Sequence, residues 1–131
     1  METANKIVLY ENDLARLDEV KKFIELNIHT HIDVKILSKK FTISTRTLQR
    51  HFCTCYGEHV SHYIHKSRML KAMELLTAHS MSISQIGLTV GYNHRSAFTH
   101  AFTKFFGNPP AYFLRNIPAN GDLARSSTHL A

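Results

Sequence analysis

Residues Ser82 to Arg115 read SISQIGLTVGYNHRSAFTHAFTKFFGNPPAYFLR, and the fold of the chain follows from this stretch. Ser82 with Gln85 three residues later is a capping-box pair, in which each side chain can serve a backbone N–H near the other, so a helix is predicted to begin there. Ile83, Ile86 and Val90 recur at spacings of three and four and give that helix one apolar face. Gly91 then supplies a backbone free to turn sharply. Asn93 is predicted to cap a second helix, on which Phe98, Phe102, Phe105 and Phe106 share one face. Its opposite face carries Arg95, Ser96, Thr99, His100 and Thr103, all able to hydrogen-bond and none acidic. Gly107, Pro109 and Pro110 end the helix, because proline lacks the donor N–H and clashes with the preceding turn.

The same outline occurs earlier. Asp33 is placed to cap a helix with Val34, Leu37 and Phe41 on its apolar face, and Thr42 and Ile43 turn the chain. Ser44 caps the next helix, with Leu48, Phe52 and Tyr56 inward and Arg46, Gln49 and Arg50 outward. Asp33, Val34, Leu37, Phe41, Leu48, Phe52 and Gly57 correspond in order to Ser82, Ile83, Ile86, Val90, Phe98, Phe102 and Gly107, which makes the chain a duplicated helix-turn-helix. Leu14, Leu17, Val20, Ile24 and Ile28 mark a scaffold helix ahead of the first copy. Val60, Ile64, Arg68, Ala72 and Leu75 form the stripe of a connecting helix. At about 20 residues and about 30 Å it nearly matches the roughly 34 Å between successive major-groove faces of B-DNA.

The predicted fold is therefore all-α, with two helix-turn-helix subdomains joined by a long linker helix and about seven helices in total. The divisions are 14–57 with the scaffold helix, 58–77 for the linker, 78–115 for the second copy, and 116–131 as a flexible tail. Met1 to Asp13 shows no sustained period and is expected to fray.

Charge is distributed unevenly. The net charge of the 131 residues is +6, but from Val34 to Arg115 eleven Lys and Arg are offset only by Glu58 and Glu74. Such a block suits a polyanion, because phosphate neutralisation supplies most nonspecific nucleic-acid affinity. Arginine can pair in bidentate fashion with guanine and glutamine with adenine, so Arg46, Gln49 and Arg50 are suited to base edges in the major groove. Arg95, Ser96, Thr99 and His100 hold the equivalent place in the second copy. Lys66 and Lys71 on the linker are either solvated charges or contacts to the DNA backbone.

The second stretch also resembles the signature of the AraC/XylS transcription regulators, through Ile86-Gly87, Gly91-Tyr92, Ser96-Ala97-Phe98, Phe102, Phe106-Gly107, Pro110 and Arg115. The first copy is similar through Leu48-Gln49-Arg50, Phe52, Gly57, Tyr63, Arg68, Ala72 and Leu75-Leu76. The sequence departs from the family at Ser38 and Gly87, where alanine is usual, at Thr42, where glycine is usual, and at His100, commonly arginine. The resemblance covers about Leu17 to Arg115. It implies an activator that binds double-stranded DNA and contacts RNA polymerase, and the lack of a spanning run or signal-peptide layout adds the expectation of a cytoplasmic protein. Regulators of this family usually carry a further N-terminal effector domain, for which 131 residues leave no room. The expectation is the short type, with no small-molecule effector and no cofactor. Two different copies on one chain predict an asymmetric site bound by a monomer, since no heptad seam is present to give a two-fold dimer.

Other classes fit less well. No carboxylate pair, nucleophile with a spaced histidine and acid, or glycine-rich phosphate loop is present, so an enzyme is not expected. His51, Cys55, His59 and His62 lack a metal-ligand spacing, and Cys53 and Cys55, two apart on a helix, point in different directions. No apolar run nears the about 20 residues that span a bilayer, and the N-terminus lacks the layout of a signal peptide. The alternatives are a helical interaction module that binds polymerase without reading DNA, and the DNA-binding end of a longer effector-responsive regulator.

Overall fold

The computed structural model describes residues 11–116, which form seven helices and no strand. These are α1 (Glu11–Leu26), α2 (Val34–Phe41), α3 (Thr45–Tyr56), α4 (Val60–Ala78), α5 (Ile83–Thr89), α6 (Arg95–Phe106) and α7 (Pro110–Asn116). Expectations for residues 1–10 and 117–131 lie outside the described residues. Glu11 to Asp13, expected to fray, instead form the first turn of α1, and Asn116, assigned to the tail, is the last residue of α7. The chain divides into two compact units, Met1–Ser67 and Arg68–Ala131, with the boundary inside α4.

In the first unit, Leu17, Val20 and Ile24 of α1, Leu37 of α2 and Leu48 and Phe52 of α3 are buried together with Val60, Tyr63 and Ile64 from the start of α4. Each such side chain contributes about 1.5–3 kcal/mol on leaving water. Leu14, expected on the apolar stripe of α1, is exposed. Polar ties from α1 bracket the core. The Tyr56 hydroxyl donates to Asp18 at 2.8 Å, that of Tyr63 donates to Glu25, and Lys21 Nζ lies 4.3 Å from the centre of the Tyr56 ring.

In the second unit, Met69, Ala72 and Leu76 of α4 are buried with Ile86, Val90, Phe98 and Phe102. An aromatic series holds α6 and α7 together: Phe98 and Phe102 at 5.7 Å between ring centres, Phe102 and Phe106 at 4.6 Å, and Phe102 and Phe113 at 5.7 Å. The predicted stripe along α4 is only partly right, since Arg68 and Leu75 are half-buried while Tyr63, Met69 and Leu76 are buried. A stripe repeating every four residues drifts around a helix of 3.6 residues per turn, and the two halves of α4 fill two different cores.

The duplication reaches further than the sequence pattern suggested. Leu17, Val20 and Ile24 of α1 match Met69, Ala72 and Leu76 of α4 in spacing and in burial, so each unit is a scaffold helix followed by a helix-turn-helix. Both turns carry the same backbone bonds. Ile43 N–H donates to Ser38 O at 3.0 Å and Tyr92 N–H to Gly87 O at 2.8 Å, the six-to-one bond of a Schellman ending.

Candidate nucleic-acid interface

Each candidate reading helix is set by its cap and its buried face. Ser44 is the N-cap of α3, its Oγ accepting from Thr47 N–H at 3.1 Å, and Gly57 closes the helix in the left-handed region at φ 73°. Leu48 and Phe52 are fully buried. Residues a hundred degrees or so around the helix from that face must point outward, and Arg46, Gln49 and Arg50 are all exposed. Among the described residues none of the three side chains has an intramolecular hydrogen bond or ion pair, so their donors are open to a ligand.

The helix before it has the cap read from sequence, with Asp33 Oδ1 accepting from Ile36 N–H at 2.9 Å. That bond holds the Asp33 carboxyl below its ordinary value. Lys35, Lys39 and Lys40 stand exposed on α2, and Lys40 Nζ lies 4.9 Å from the centre of the Phe23 ring. These lysines extend the basic surface beyond the residues singled out from sequence. The signal was present in their spacing, with Lys35 and Lys39 opposite Leu37 and Lys40 on the flank toward Phe23. A first helix of this motif crosses the phosphate backbone in known docking geometries, which suits lysine as a point charge.

In the second unit the capping box forms as predicted, Ser82 Oγ accepting from Gln85 N–H at 3.1 Å and Gln85 Oε1 from Ser82 N–H at 2.9 Å. The expected cap at Asn93 does not form. The N-cap of α6 is His94, without a side-chain bond to the helix, and Asn93 lies in the turn before it. His94 is the position equivalent to Ser44, so the repeat itself places the helix start there rather than one residue earlier. Phe98 and Phe102 are fully buried on one face. Arg95, Ser96 and His100 are exposed on the other, again without intramolecular partners among the described residues, and Thr99 is half-buried. Thr103 turns back on its own helix, its hydroxyl donating to Thr99 O at 2.7 Å. Unlike α2, α5 carries no charged side chain.

The two linker lysines have partners. Lys66 Nζ is 2.7 Å from Glu58 Oε2, and Lys71 Nζ is 3.5 Å from Glu74 Oε2. Glu58 also meets His62 at 2.7 Å, and Lys66 first, then His62, hold its carboxyl below the ordinary range.

Arg16 carries no expectation from sequence, and Arg68 only a place on the linker stripe and in the family resemblance. Arg16 Nη2 donates to Phe41 O at 2.7 Å and to Thr42 O at 3.2 Å, and Arg68 Nη1 donates to Val90 O at 2.9 Å. Burial pushes the Arg68 guanidinium below its usual value, which for arginine still leaves it charged. Among the described residues no three His, Cys, Asp or Glu side chains converge on a possible metal position. Among the described residues no helix is long and apolar enough to cross a membrane.

Residues 37–116 match a family described as a helix-turn-helix domain. The chain is 30% identical over 106 residues to the Msm operon regulatory protein of Streptococcus mutans, covering 81% of this chain and 38% of that one. It is 32% identical over 97 residues to the transcriptional activator AggR of Escherichia coli, covering 74% of this chain and 36% of that one. The chain thus spans a little over a third of the length of these relatives. A crystal structure of an AraC-type transcriptional regulator from Chromobacterium violaceum has a TM-score of 0.71 and 26% identity, covering 82% of this chain and 96% of that one. With the match running from the buried leucine of α2 to the last residue of α7, the chain belongs to the AraC-type helix-turn-helix family of DNA-binding transcription regulators.

Proposed function

We propose that the chain reads an asymmetric site on double-stranded DNA, placing α3 and α6 in successive major grooves, and that it activates transcription from there through RNA polymerase. The observation that carries this reading is the unpartnered, exposed set of Arg46, Gln49 and Arg50 on α3, matched on α6 by Arg95, Ser96 and His100, with Thr99 at its edge. Exposed arginines and a glutamine on the outer face of such a helix have the donors and acceptors that base edges require. The two sets differ in chemistry, so the halves of the site should differ in sequence. In this reading 14–57 and 78–115 act as two DNA-reading subdomains joined by the linker 58–77. The chain binds as a monomer in the cytoplasm without a small-molecule effector. Activation draws support from a relative that is named a transcriptional activator.

Selection of bound duplexes from a random library at defined salt tests the reading. Two dissimilar blocks of preferred bases about one helical turn apart are expected. A single block contradicts the two-groove arrangement. An affinity indifferent to sequence contradicts DNA reading and favours a protein-binding module.

A further inference from the structure

We infer that Arg16 and Arg68 are positioning residues for DNA reading, each pinning the turn of the helix-turn-helix in its own unit and so setting the presentation of the reading helix that follows. The inference rests on the DNA reading proposed above. Its basis is that the same bond is made twice by the same architecture. Arg16 leaves α1 and reaches the carbonyls of Phe41 and Thr42 at 2.7 and 3.2 Å; Arg68 leaves α4 and reaches the carbonyl of Val90 at 2.9 Å. Phe41 and Val90 are equivalent positions of the duplication, and Arg16 and Arg68 stand just before the equivalent core residues Leu17 and Met69.

The carbonyls at a helix end have no partner within the helix and carry the negative end of its dipole, so a guanidinium is well matched to them. Within each turn, the backbone bonds tie only residues of the first helix to residues just past its end. Nothing in that set fixes the turn to the scaffold helix. The arginine does so across 25 residues in the first unit and 22 in the second. If it is lost, the buried face of the reading helix still anchors it, but the turn that leads into it can shift. Base contacts then suffer, because hydrogen bonds to base edges weaken steeply when donor and acceptor are misaligned. Contacts to phosphate, made by long flexible side chains, tolerate the same shift.

The test uses the full chain and a duplex obtained by the selection above. Arg16→Gln, Arg16→Lys, Arg68→Gln and Arg68→Lys are titrated at a temperature where circular dichroism shows each to be folded. The duplexes are the selected site, the site with either half scrambled, and a random sequence; Arg46→Ala and Arg95→Ala identify which half each helix reads. Arg16→Gln is expected to weaken binding to the selected site about tenfold, and to have no effect once the half read by α3 is scrambled. The salt slope should stay unchanged, and Arg16→Lys should recover part of the loss. Arg68→Gln should do the same for the half read by α6; if it does not fold, the Arg16 pair decides. An equal loss on every duplex, a salt slope flatter by about one, or no loss at all overturns the inference. Wild-type protein that binds every duplex equally overturns the DNA reading and this inference together. Wild-type discrimination with an indiscriminate Arg16→Gln loss overturns this inference alone.

Discussion

Thr42 and Gly91 hold the same point in two copies of the same turn, both with left-handed backbone: Thr42 at φ 54° and Gly91 at φ 98°. Only one of them suits it. A β-branched side chain in this region is strained by about 1–2 kcal/mol, whereas glycine is not. The Thr42 side chain is exposed and has no hydrogen-bond partner among the described residues, so it returns nothing for the strain. Thr42→Gly should therefore stabilise the first unit by about 1 kcal/mol after the greater freedom of glycine in the unfolded chain is subtracted. A thermal melt should show a rise of several degrees; a fall would mean that the turn is not strained.

Gly87 and Phe98 are in close contact across the second turn. A Cβ added at Gly87 would come within 3.1 Å of Cβ and Cγ of Phe98, so the ring must retreat by a few tenths of an ångström. Against this stands a helix-propensity gain of about 1 kcal/mol for alanine. We expect Gly87→Ala to stabilise by less than that full gain, and by more when measured in a Phe98→Leu background. A double-mutant cycle by denaturant unfolding checks both, and a destabilisation by Gly87→Ala in wild-type protein would show that the ring cannot move.

Acid should weaken the first unit. Asp33, through the Ile36 N–H, and Glu58, through Lys66, are held below their ordinary values of 3.8 and 4.5. A carboxylate depressed in the folded state stabilises fully above its unfolded value and loses that contribution as pH falls through the folded one. Urea midpoints should fall below about pH 4.5, and Glu58→Gln should make the decline shallower. Equal slopes in wild type and variant would remove Glu58 from the account.

Alkali should act through the two tyrosines tied to α1. Burial first, then the Glu25 hydrogen bond, pushes Tyr63 up to about 12 from 10.0, and burial with Asp18 raises Tyr56 further. An acid whose folded value is raised contributes fully below its unfolded value and loses that contribution as pH rises through the folded one. Stability should therefore decline above pH 10, and Tyr63→Phe should flatten the decline. Ultraviolet titration of the phenolate reports the same shift directly.

Binding itself should respond to the exposed arginines. Arg46→Ala or Arg95→Ala should cost about 1–3 kcal/mol and relax preference at one or two base pairs. Competition against single-base variants of the selected site reads both effects. Affinity unchanged across such a panel would contradict the assignment of these side chains to base edges.

Periodicity and caps were enough to read an all-α chain with a duplicated helix-turn-helix, because burial of one helical face is written locally. The cap residues Asp33, Ser44 and Ser82, the buried Leu48 and Phe98, and the exposed Arg46 and Arg95 all follow from spacing within one or two turns. In the sequence an asparagine beside the helix start looks as good a cap as the true position, and only the path of the turn assigns the cap to His94 rather than Asn93. Pairings between distant residues needed the tertiary structure. Lys66 on Glu58, Tyr56 on Asp18, and Arg16 and Arg68 on their turn carbonyls join residues eight to 38 apart, and no local period encodes which of several free partners a long side chain will meet. The helices are a property of neighbouring residues, whereas the ties that orient them depend on which surfaces packing brings together.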